Sequence, residues 1–439
     1  MNIKKLLSSM LACIMVAGAA GCSSGQAPTA EQTTENSSAE ATDPAATGQE
    51  NLSEEEQRKA MIDRSLMTVG DTSRMVTVLQ KAARGEEITV GYIGGSITEG
   101  LTVGAETCWA RRSYDWLCTQ FPDTKINYVN AGMSGTPSGI GLIRAERDLY
   151  TFDTLTTGGR TAAVIAEELP AQIQPDIVFV EFAVNDGQEP ISKQCYESLV
   201  RKILEKDNQP AVVLVFTILE NGYTCQPHMS MVGEQYNLPM ISVGDALTPE
   251  FESGRMKWET YSDDQSHPNE YGHILVADMV KNYFEQVMPL AAGDAPQISA
   301  LPDGAIFSDS YKDMILLDGA NLTADSLGGF QPKEGFLNQF RNGWINKNGG
   351  SEPIVFTISC KSLFMVLHTN NSGRFGAVDV KVDGEKVITV NSNRSGGWGA
   401  PDYQLIFSDE QSAEHKIEIS MAEGYESSYF GLLGFGVVR

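Results

Sequence analysis

Short apolar runs alternate with stretches of helical periodicity between residues 88 and 287, and this alternation constrains the fold more than any other feature. Five runs are apolar almost throughout, as is typical of strands buried on both faces: 88–93, 126–130, 176–182, 211–217 and 240–243. Helical spacing separates them, at 109–121, 139–149, 160–172, 192–206 and 268–287. Such alternation favours parallel strands covered by helices. It predicts a three-layer α/β/α, flavodoxin-like domain over residues 59–290, with a parallel sheet of about five strands.

The pattern changes after residue 289. Helical periodicity stops, and short strand-like runs punctuated by Gly, Asn and Asp continue to the C-terminus. Regularly spaced short strands are typical of an all-β sandwich. We therefore expect a second, all-β domain over residues 298–439.

The N-terminus has the composition of a targeting segment. Lys4 and Lys5 precede an apolar stretch at 6–17, and small residues lead directly to Cys22. This order resembles a bacterial lipoprotein cleavage site, which implies a signal peptide at 1–21 and a lipidated Cys22; an ordinary secretory signal is the alternative. Residues 22–58 contain few large apolar side chains, so we expect a disordered tether. The protein would then be extracytoplasmic, anchored by lipid at the bacterial cell surface.

Charge and cysteine content exclude some functions. The formal net charge of −25 disfavours binding to nucleic acid. Five cysteines remain beyond Cys22, an odd number that cannot pair completely, and a bond between Cys195 and Cys225 stays open. The chain has no C-x-x-C pair of the kind that binds zinc.

Polar and glycine-rich segments follow the predicted strands. They are Gly-Gly-Ser-Ile-Thr at 94–98, Asn-Ala-Gly-Met-Ser-Gly at 130–135, Ala-Val-Asn-Asp at 183–186 and, before the last helix, Asp-Gln-Ser-His-Pro at 264–268. In open α/β sheets, functional groups gather beyond the carboxyl ends of the strands. We therefore expect all four segments at one edge of the sheet.

Together these segments supply what a serine esterase needs. The hydroxyl of Ser96 can attack an acyl carbon, His267 can take and return the proton, and Asp264 can hold the imidazole in the required tautomer. Donors for the oxyanion are expected from the amides of Ser96 and Gly132 and from the side chain of Asn185.

The four segments resemble those of the SGNH-hydrolase (GDSL-esterase) superfamily, in particular its carbohydrate-esterase-like branch. The family's Ser, Gly, Asn and His, with the Asp three residues before the His, carry over to Ser96, Gly132, Asn185, His267 and Asp264. The resemblance covers residues 86–287. It departs from the family at Gly95, where an Asp is usual.

Each of these residues also has a structural interpretation, as a helix cap, a turn glycine or a surface histidine. Their order along the chain favours catalysis. His273 follows Glu270 by the same three-residue spacing but lies inside the last predicted helix, so we interpret it as structural. Asp263 adjoins Asp264 and is the less well spaced partner for His267.

Other chemistries lack their motifs. The chain shows no G-x-S-x-G around Ser96, no phosphate loop or dinucleotide fingerprint, and no H-E-x-x-H. We therefore expect no metal and no cofactor.

The expected activity is serine-dependent hydrolysis of carboxylic esters, with O-deacetylation of an extracellular polysaccharide such as acetylxylan as the leading hypothesis. The C-terminal domain resembles the jelly-roll domains found beside carbohydrate esterases. Three aromatic residues of this domain are candidates for stacking on sugar rings: Trp344, Trp398 and Tyr403. The alternative is that they belong to the core of the domain. A lipase or lysophospholipase-type hydrolase and a glycan-binding surface lipoprotein with a non-catalytic hydrolase fold are the alternatives. Expected partners are an acetylated polysaccharide or other ester and, through the lipid anchor alone, the membrane.

Overall fold

The structure is a computed structural model that describes residues 53–150, 164–165, 173–334, 337, 340–346 and 350–439. The predicted signal peptide, Cys22 and nearly all of the predicted tether lie outside these residues and remain predictions. Among the described helices, none has the length and apolar character needed to cross a membrane.

The first seven strands form one mixed sheet. They are β1 (Leu66–Thr68), β2 (Ile88–Gly94), β3 (Ile126–Gly132), β4 (Val164–Ile165), β5 (Ile177–Glu181), β6 (Ala211–Phe216) and β7 (Met240–Ser242). Their order is β1-β7-β6-β5-β2-β3-β4, with five parallel central strands and antiparallel β1 and β4 at the edges. The parallel strands, numbered among themselves, follow the flavodoxin order 2-1-3-4-5. The predicted α/β class with about five parallel strands is confirmed.

Helices cover both faces of this sheet. They are α1 (Glu54–Arg64), α2 (Ser73–Ala83), α3 (Ser96–Glu99), α4 (Trp109–Gln120), α5 (Ser138–Ala145), α6 (Pro190–Leu204), α7 (Gln226–Gln235), α8 (Val243–Glu252), α9 (Trp258–Tyr261) and α10 (Glu270–Val287). One apolar core joins α5, α6 and α7 to the sheet, and a second joins α2, α4, α8 and α10 to the opposite face. Side chains of β5 alternate between the two cores, as the pleat requires: Val178 and Val180 enter the first core, Ile177 and Phe179 the second.

One predicted helix is wrong in part. Val164–Ile165 pairs antiparallel with β3, inside the stretch 160–172 for which the spacing predicted a helix. Two β-branched residues suit an edge strand better than a helix. The remainder of that stretch lies outside the described residues.

The C-terminal part is all-β, as predicted. Its strands are β8 (Ile315–Leu317), β9 (Gln331–Lys333), β10 (Gly343–Asn346), β11 (Ile354–Asn370), β12 (Ala377–Val382), β13 (Glu385–Asn391), β14 (Trp398–Met421) and β15 (Phe430–Val438). They pair antiparallel in the order β13-β12-β14-β11-β15-β10-β9, with β8 on β15. Register shifts interrupt the long pair β11 and β14, and shifts of this kind bend strands.

The all-β part packs on the α/β part, and the two share one apolar core. Along β11, Phe364 and Val366 belong to the apolar core of α5 and α6, whereas Met365 belongs to the core of the all-β part. Gly436 on β15 lies so close to α5 that a Cβ there would be 2.7 Å from Cγ1 of Ile143. Residues Glu56–Arg439 accordingly form one compact unit.

The segment that connects the two parts is bound along α6. The fully buried carboxylate of Glu197 accepts hydrogen bonds from the backbone N–H groups of Ile306, Phe307 and Ser308, at 2.7, 2.5 and 2.9 Å. The hydroxyl of Tyr236 donates a fourth, at 2.9 Å. A buried carboxylate needs such donors to offset the loss of water, so the connecting segment is held in place by a satisfied polar group.

The cysteines of the described residues are all free: Cys108, Cys118, Cys195, Cys225 and Cys360. Cys195 and Cys225, whose pairing the sequence left open, are buried and unbonded. Burial raises the pKa of both thiols, that of Cys225 to about 11. They therefore remain protonated near neutral pH and act as core residues.

Candidate active site

Ser96, His267 and Asp264 form a hydrogen-bonded chain at the carboxyl edge of the sheet. Oγ of Ser96 lies 3.0 Å from Nε2 of His267, and Nδ1 of His267 lies 2.8 Å from Oδ2 of Asp264. Ser96 is buried, and the side chain of His267 is 22% exposed. The imidazole thus joins a hydroxyl to a carboxylate, which is the geometry of a nucleophile with its general base.

A tight turn positions Ser96. Strand β2 ends at Gly94, and after Gly95 the one-turn helix α3 begins at Ser96. The buried carboxylate of Glu181, at the end of β5, accepts hydrogen bonds from the hydroxyls of Thr98 at 2.9 Å and Thr217 at 2.7 Å. These bonds tie α3 to the neighbouring parallel strands β5 and β6.

The loop before α10 holds the other two members. Trp258 donates its indole N–H to the carbonyl oxygen of Asp264 at 2.6 Å. The backbone N–H groups of Ser266 and His267 each donate to Oδ1 of Asp264 at 2.7 Å. Burial pushes the pKa of Asp264 upward, but these bonds and the one from the imidazole outweigh it and lower the pKa to about 2. Asp264 is therefore ionised wherever the protein is folded near neutral pH.

The two competing residues have other partners. Nδ1 of the buried His273 accepts a hydrogen bond from the backbone N–H of Trp109 at 3.1 Å, at the start of α4. Burial lowers the pKa of His273 to about 3, so it remains a neutral structural residue. Asp263 accepts a hydrogen bond from the side chain of Asn269 at 3.2 Å.

Asn185 lies directly against Gly95. A Cβ at position 95 would be 2.1 Å from Oδ1 of Asn185, so no larger residue fits while the amide keeps its place. With Asn185 in this position, a residue larger than glycine at 95 would have to displace its amide. The amide oxygen of Asn185 is buried and has no hydrogen-bond partner among the residues that the structure describes.

Gly132 does not supply a free amide. Its N–H donates to Oδ1 of Asn130 at 2.9 Å, and this contact contradicts its predicted role as an oxyanion donor. The absence of a side chain matters instead, because a Cβ at Gly132 would be 2.3 Å from the backbone nitrogen of Glu99. Gly132 is a packing glycine that lets β3 approach α3.

The free amide of this loop belongs to Gly135. Met133 N–H donates to the carbonyl oxygen of Gly94 at 3.0 Å and Ser134 N–H to Glu99 at 2.6 Å, whereas Gly135 N–H donates to no group of the described residues. Gly135 has a φ of +66°, which glycine adopts without strain. The sequence does contain this second glycine in the segment 130–135, but spacing alone does not show which of the two glycines has the free amide.

The all-β part reaches this loop through one tryptophan. Trp398, the first residue of β14, is 54% exposed, and a Cβ at Gly135 would be 1.6 Å from its Cζ2. The indole therefore lies on the Cα of Gly135. Of the other aromatic candidates, Trp344 is 3% exposed and packs on Phe356 in the all-β core. Tyr403 is partly buried and packs on Gly139 of α5.

Metal ligands do not gather in the described part of the chain. No group of three or more His, Cys, Asp or Glu side chains is arranged there to hold an ion.

Asp186, next to Asn185, ties the loop after β5 to the start of α5. Its carboxylate accepts hydrogen bonds from the N–H of Ser138 at 2.6 Å and from the hydroxyl of Ser138 at 2.5 Å. Burial raises the pKa of Asp186 to about 7, although these bonds oppose the shift; the nearby carboxylates of Glu181 and Glu189 raise it further. Asp186 is thus a carboxyl group that folding keeps protonated to an unusually high pH.

This shift predicts a pH-dependent stability. A folded-state pKa above that of the unfolded chain, about 4, adds stability that is complete below that value and is lost as pH rises through about 7. We expect the melting temperature of Asp186→Asn, relative to wild type, to rise between pH 4.5 and pH 8. Thermal unfolding at several pH values measures this, with Glu234→Gln, at an exposed position of α7, as the control. If the melting temperatures of wild type and Asp186→Asn differed by the same amount at every pH, the prediction would be contradicted.

Comparison with known proteins bears on this geometry. Residues 92–275 match the GDSL-like Lipase/Acylhydrolase family. No curated protein sequence matches the chain.

Two solved structures are similar over most of the chain. One is a two-domain esterase (CEX) active on acetylated mannans, and the other is the same esterase co-crystallised with mannopentaose. Each has a TM-score of 0.71 and 25% identity, and the match covers 86% of this chain. It covers 99% of the first esterase chain and 98% of the second. Residues 92–275 therefore match a GDSL-like lipase/acylhydrolase domain, which an all-β part follows, and this match together with the esterase structures indicates a carboxylic ester hydrolase.

Proposed function

We propose that the protein removes O-acetyl groups from an acetylated polysaccharide, with Ser96 as nucleophile, His267 as general base and acid, and Asp264 as the carboxylate that orients His267. The observation that carries the proposal is the position of Trp398, a largely exposed indole from the all-β part that lies on Gly135, in the loop whose Ser134 is hydrogen-bonded to the helix of Ser96.

The triad geometry supports the following reaction. Oγ of Ser96 attacks the acetyl carbonyl carbon while Nε2 of His267, 3.0 Å away, takes its proton. The imidazolium then gives this proton to the sugar oxygen as the ester bond breaks, which leaves an acetyl-Ser96 intermediate. His267 then takes a proton from a water molecule, whose oxygen attacks the acetyl carbon, and returns that proton to Oγ of Ser96 as the acyl bond breaks and acetate leaves.

The negative charge that develops on the carbonyl oxygen requires donors. We assign them to the N–H groups of Ser96 and Gly135 and to the side-chain NH2 of Asn185. Each follows a different structural element of the sheet edge, and the contacts of Gly95 and Ser134 hold them before substrate arrives. Donors fixed in this way stabilise the transition state without reorganisation.

The substrate class follows from the surroundings of the triad. An exposed indole presents a flat apolar face of the kind that packs on the C–H groups of a sugar ring. A polysaccharide bound on Trp398 would extend along the loop that carries Gly135, next to the reacting ester. The likeness to an esterase active on acetylated mannans supports the same substrate class and makes acetylated mannan the first substrate to test, beside acetylated xylan. Export and a lipid anchor at Cys22, predicted from the sequence, would bring the protein to such polymers.

Acetate release from polysaccharides tests the proposal directly. We expect the full mature chain to release acetate from acetylated mannan, from acetylated xylan or from both, and Ser96→Ala and His267→Asn to lower kcat at least 1,000-fold by removing the nucleophile or its base. His273→Asn is the matched control and should retain most of the activity. An enzyme that releases no acetate from any acetylated polysaccharide but cleaves long-chain esters would favour the lipase alternative.

Gly95→Ala tests the assigned oxyanion donor. The added Cβ would overlap Oδ1 of Asn185, so the amide must move and kcat on an aryl acetate should fall about 100-fold, as for loss of one oxyanion donor. Gly244→Ala, where the nearest atom to a new Cβ is 3.5 Å away, is the control and should be neutral. Full activity of Gly95→Ala would remove Asn185 from the mechanism.

Trp398→Ala tests the sugar-binding surface. We expect kcat/KM on acetylated polysaccharide to fall about tenfold, or ~1.4 kcal/mol, with kcat/KM on an aryl acetate within twofold of wild type. Trp398→Phe keeps a flat ring and should retain most of the polymer activity. Equal losses on both substrates would show that Trp398 acts by supporting Gly135 alone.

A further inference from the structure

One carboxylate links the nucleophile helix to the loop of Gly135. Oε2 of Glu99 accepts a hydrogen bond from the N–H of Ser134 at 2.6 Å and a second, short one from the hydroxyl of Ser134. Glu99 is the last residue of α3, whose first residue is Ser96. The same helical turn therefore carries the nucleophile at one end and the anchor of the loop at the other.

The surroundings make this anchor stiff. Glu99 is 6% exposed, and the fully buried guanidinium of Arg144 on α5 is near enough to attract it electrostatically. Arg144 also donates to the carbonyl oxygen of Gly94 at 3.3 Å. A buried carboxylate that accepts two hydrogen bonds has little freedom to move, because each alternative position leaves polar groups unpaired.

Gly135, one residue beyond Ser134, makes two contributions to the site. The N–H of Gly135 has no acceptor within the described part of the chain, and the Cα of Gly135 supports the indole of Trp398. Any displacement of Ser134 therefore shifts an assigned oxyanion donor and the proposed sugar-binding surface together.

We propose that Glu99 is a positioning residue of the esterase reaction: by holding Ser134, it sets the position of the Gly135 amide relative to Oγ of Ser96. It touches no reacting atom and acts through Ser134. The inference rests on the oxyanion assignment made under the proposed function, and it concerns aryl acetates as much as polysaccharides.

Steady-state kinetics of the full mature chain on an aryl acetate, with the rate at which a phosphonate labels Ser96, test the proposal. Glu99→Ala should lower kcat 30-fold to 100-fold with KM within threefold, because the interaction that it weakens belongs to the transition state. Phosphonylation should slow in parallel, since it also builds charge on an oxygen in the same hole. Glu99→Gln keeps an acceptor for Ser134 N–H and should recover kcat to within about fivefold of wild type.

Glu250→Ala is the matched control. Glu250, on α8, is buried to a similar degree, at 5% exposed, and forms ion pairs with Arg64 and Arg255. Its loss should therefore lower the melting temperature and leave kcat within twofold. A folded Glu99→Ala with wild-type kcat, or equal losses in Glu99→Ala and Glu99→Gln, would overturn the proposal. Should Glu99→Ala fail to fold, Glu99→Asp decides, because its carboxylate is one methylene too short for the Ser134 N–H: a fall in kcat at an unchanged melting temperature supports the proposal, and an unchanged kcat overturns it.

Failure of the proposed function leaves a different signature. A wild-type enzyme that cleaves aryl acetates and reacts with the phosphonate, but releases no acetate from polysaccharides, would refute the substrate class. The Glu99 comparison would still be decided by those two small probes.

Discussion

Backbone segments at the carboxyl edge of the sheet approach one another so closely that no side chain fits between them, and the active site depends on this packing. A Cβ at Gly95 would overlap the amide of Asn185, and one at Gly132 would overlap the backbone of Glu99. Such contact fixes the loops after β2, β3 and β5 relative to one another. The same closeness excludes water from Glu99 and Glu181, which is why each carboxylate is satisfied by nearby hydroxyl or N–H donors.

The position of the site follows from topology. In a sheet of flavodoxin order, the strand order reverses between the parallel neighbours β2 and β5, and the crevice beyond this switch point is where ligands bind. Ser96 follows one of these strands and Asn185 the other, so nucleophile and amide face each other across the crevice. The loop after β3 and the loop before α10 close its two sides, and β14 of the all-β part adds Trp398 beside Gly135.

Much of this arrangement was predictable from the sequence, because the buried parallel strands are largely apolar runs and three of the four functional segments follow such a run, the fourth preceding the last helix. The edge strands β1 and β4 could not be predicted, because they have only three and two residues, too few to show a periodicity. The sequence predicted the oxyanion donor of this loop at Gly132, because spacing cannot show that the side chain of Asn130 accepts the Gly132 N–H. Trp344 and Trp398 both lie beside glycines, and only strand register separates the core residue from the exposed one.

The carboxylate of Glu197 has a consequence for how the two parts can be separated. It binds three successive N–H groups of the connecting segment, while β15 covers α5 through Gly436. A hydrolase ended at residue 290 would lose the three backbone donors to Glu197, keeping Tyr236 alone, and would expose apolar surface on α5. The all-β part therefore cannot be exchanged for an unrelated domain unless the replacement also fits the surfaces of α5 and α6. For the same reason, the sequences of the two parts should diverge together.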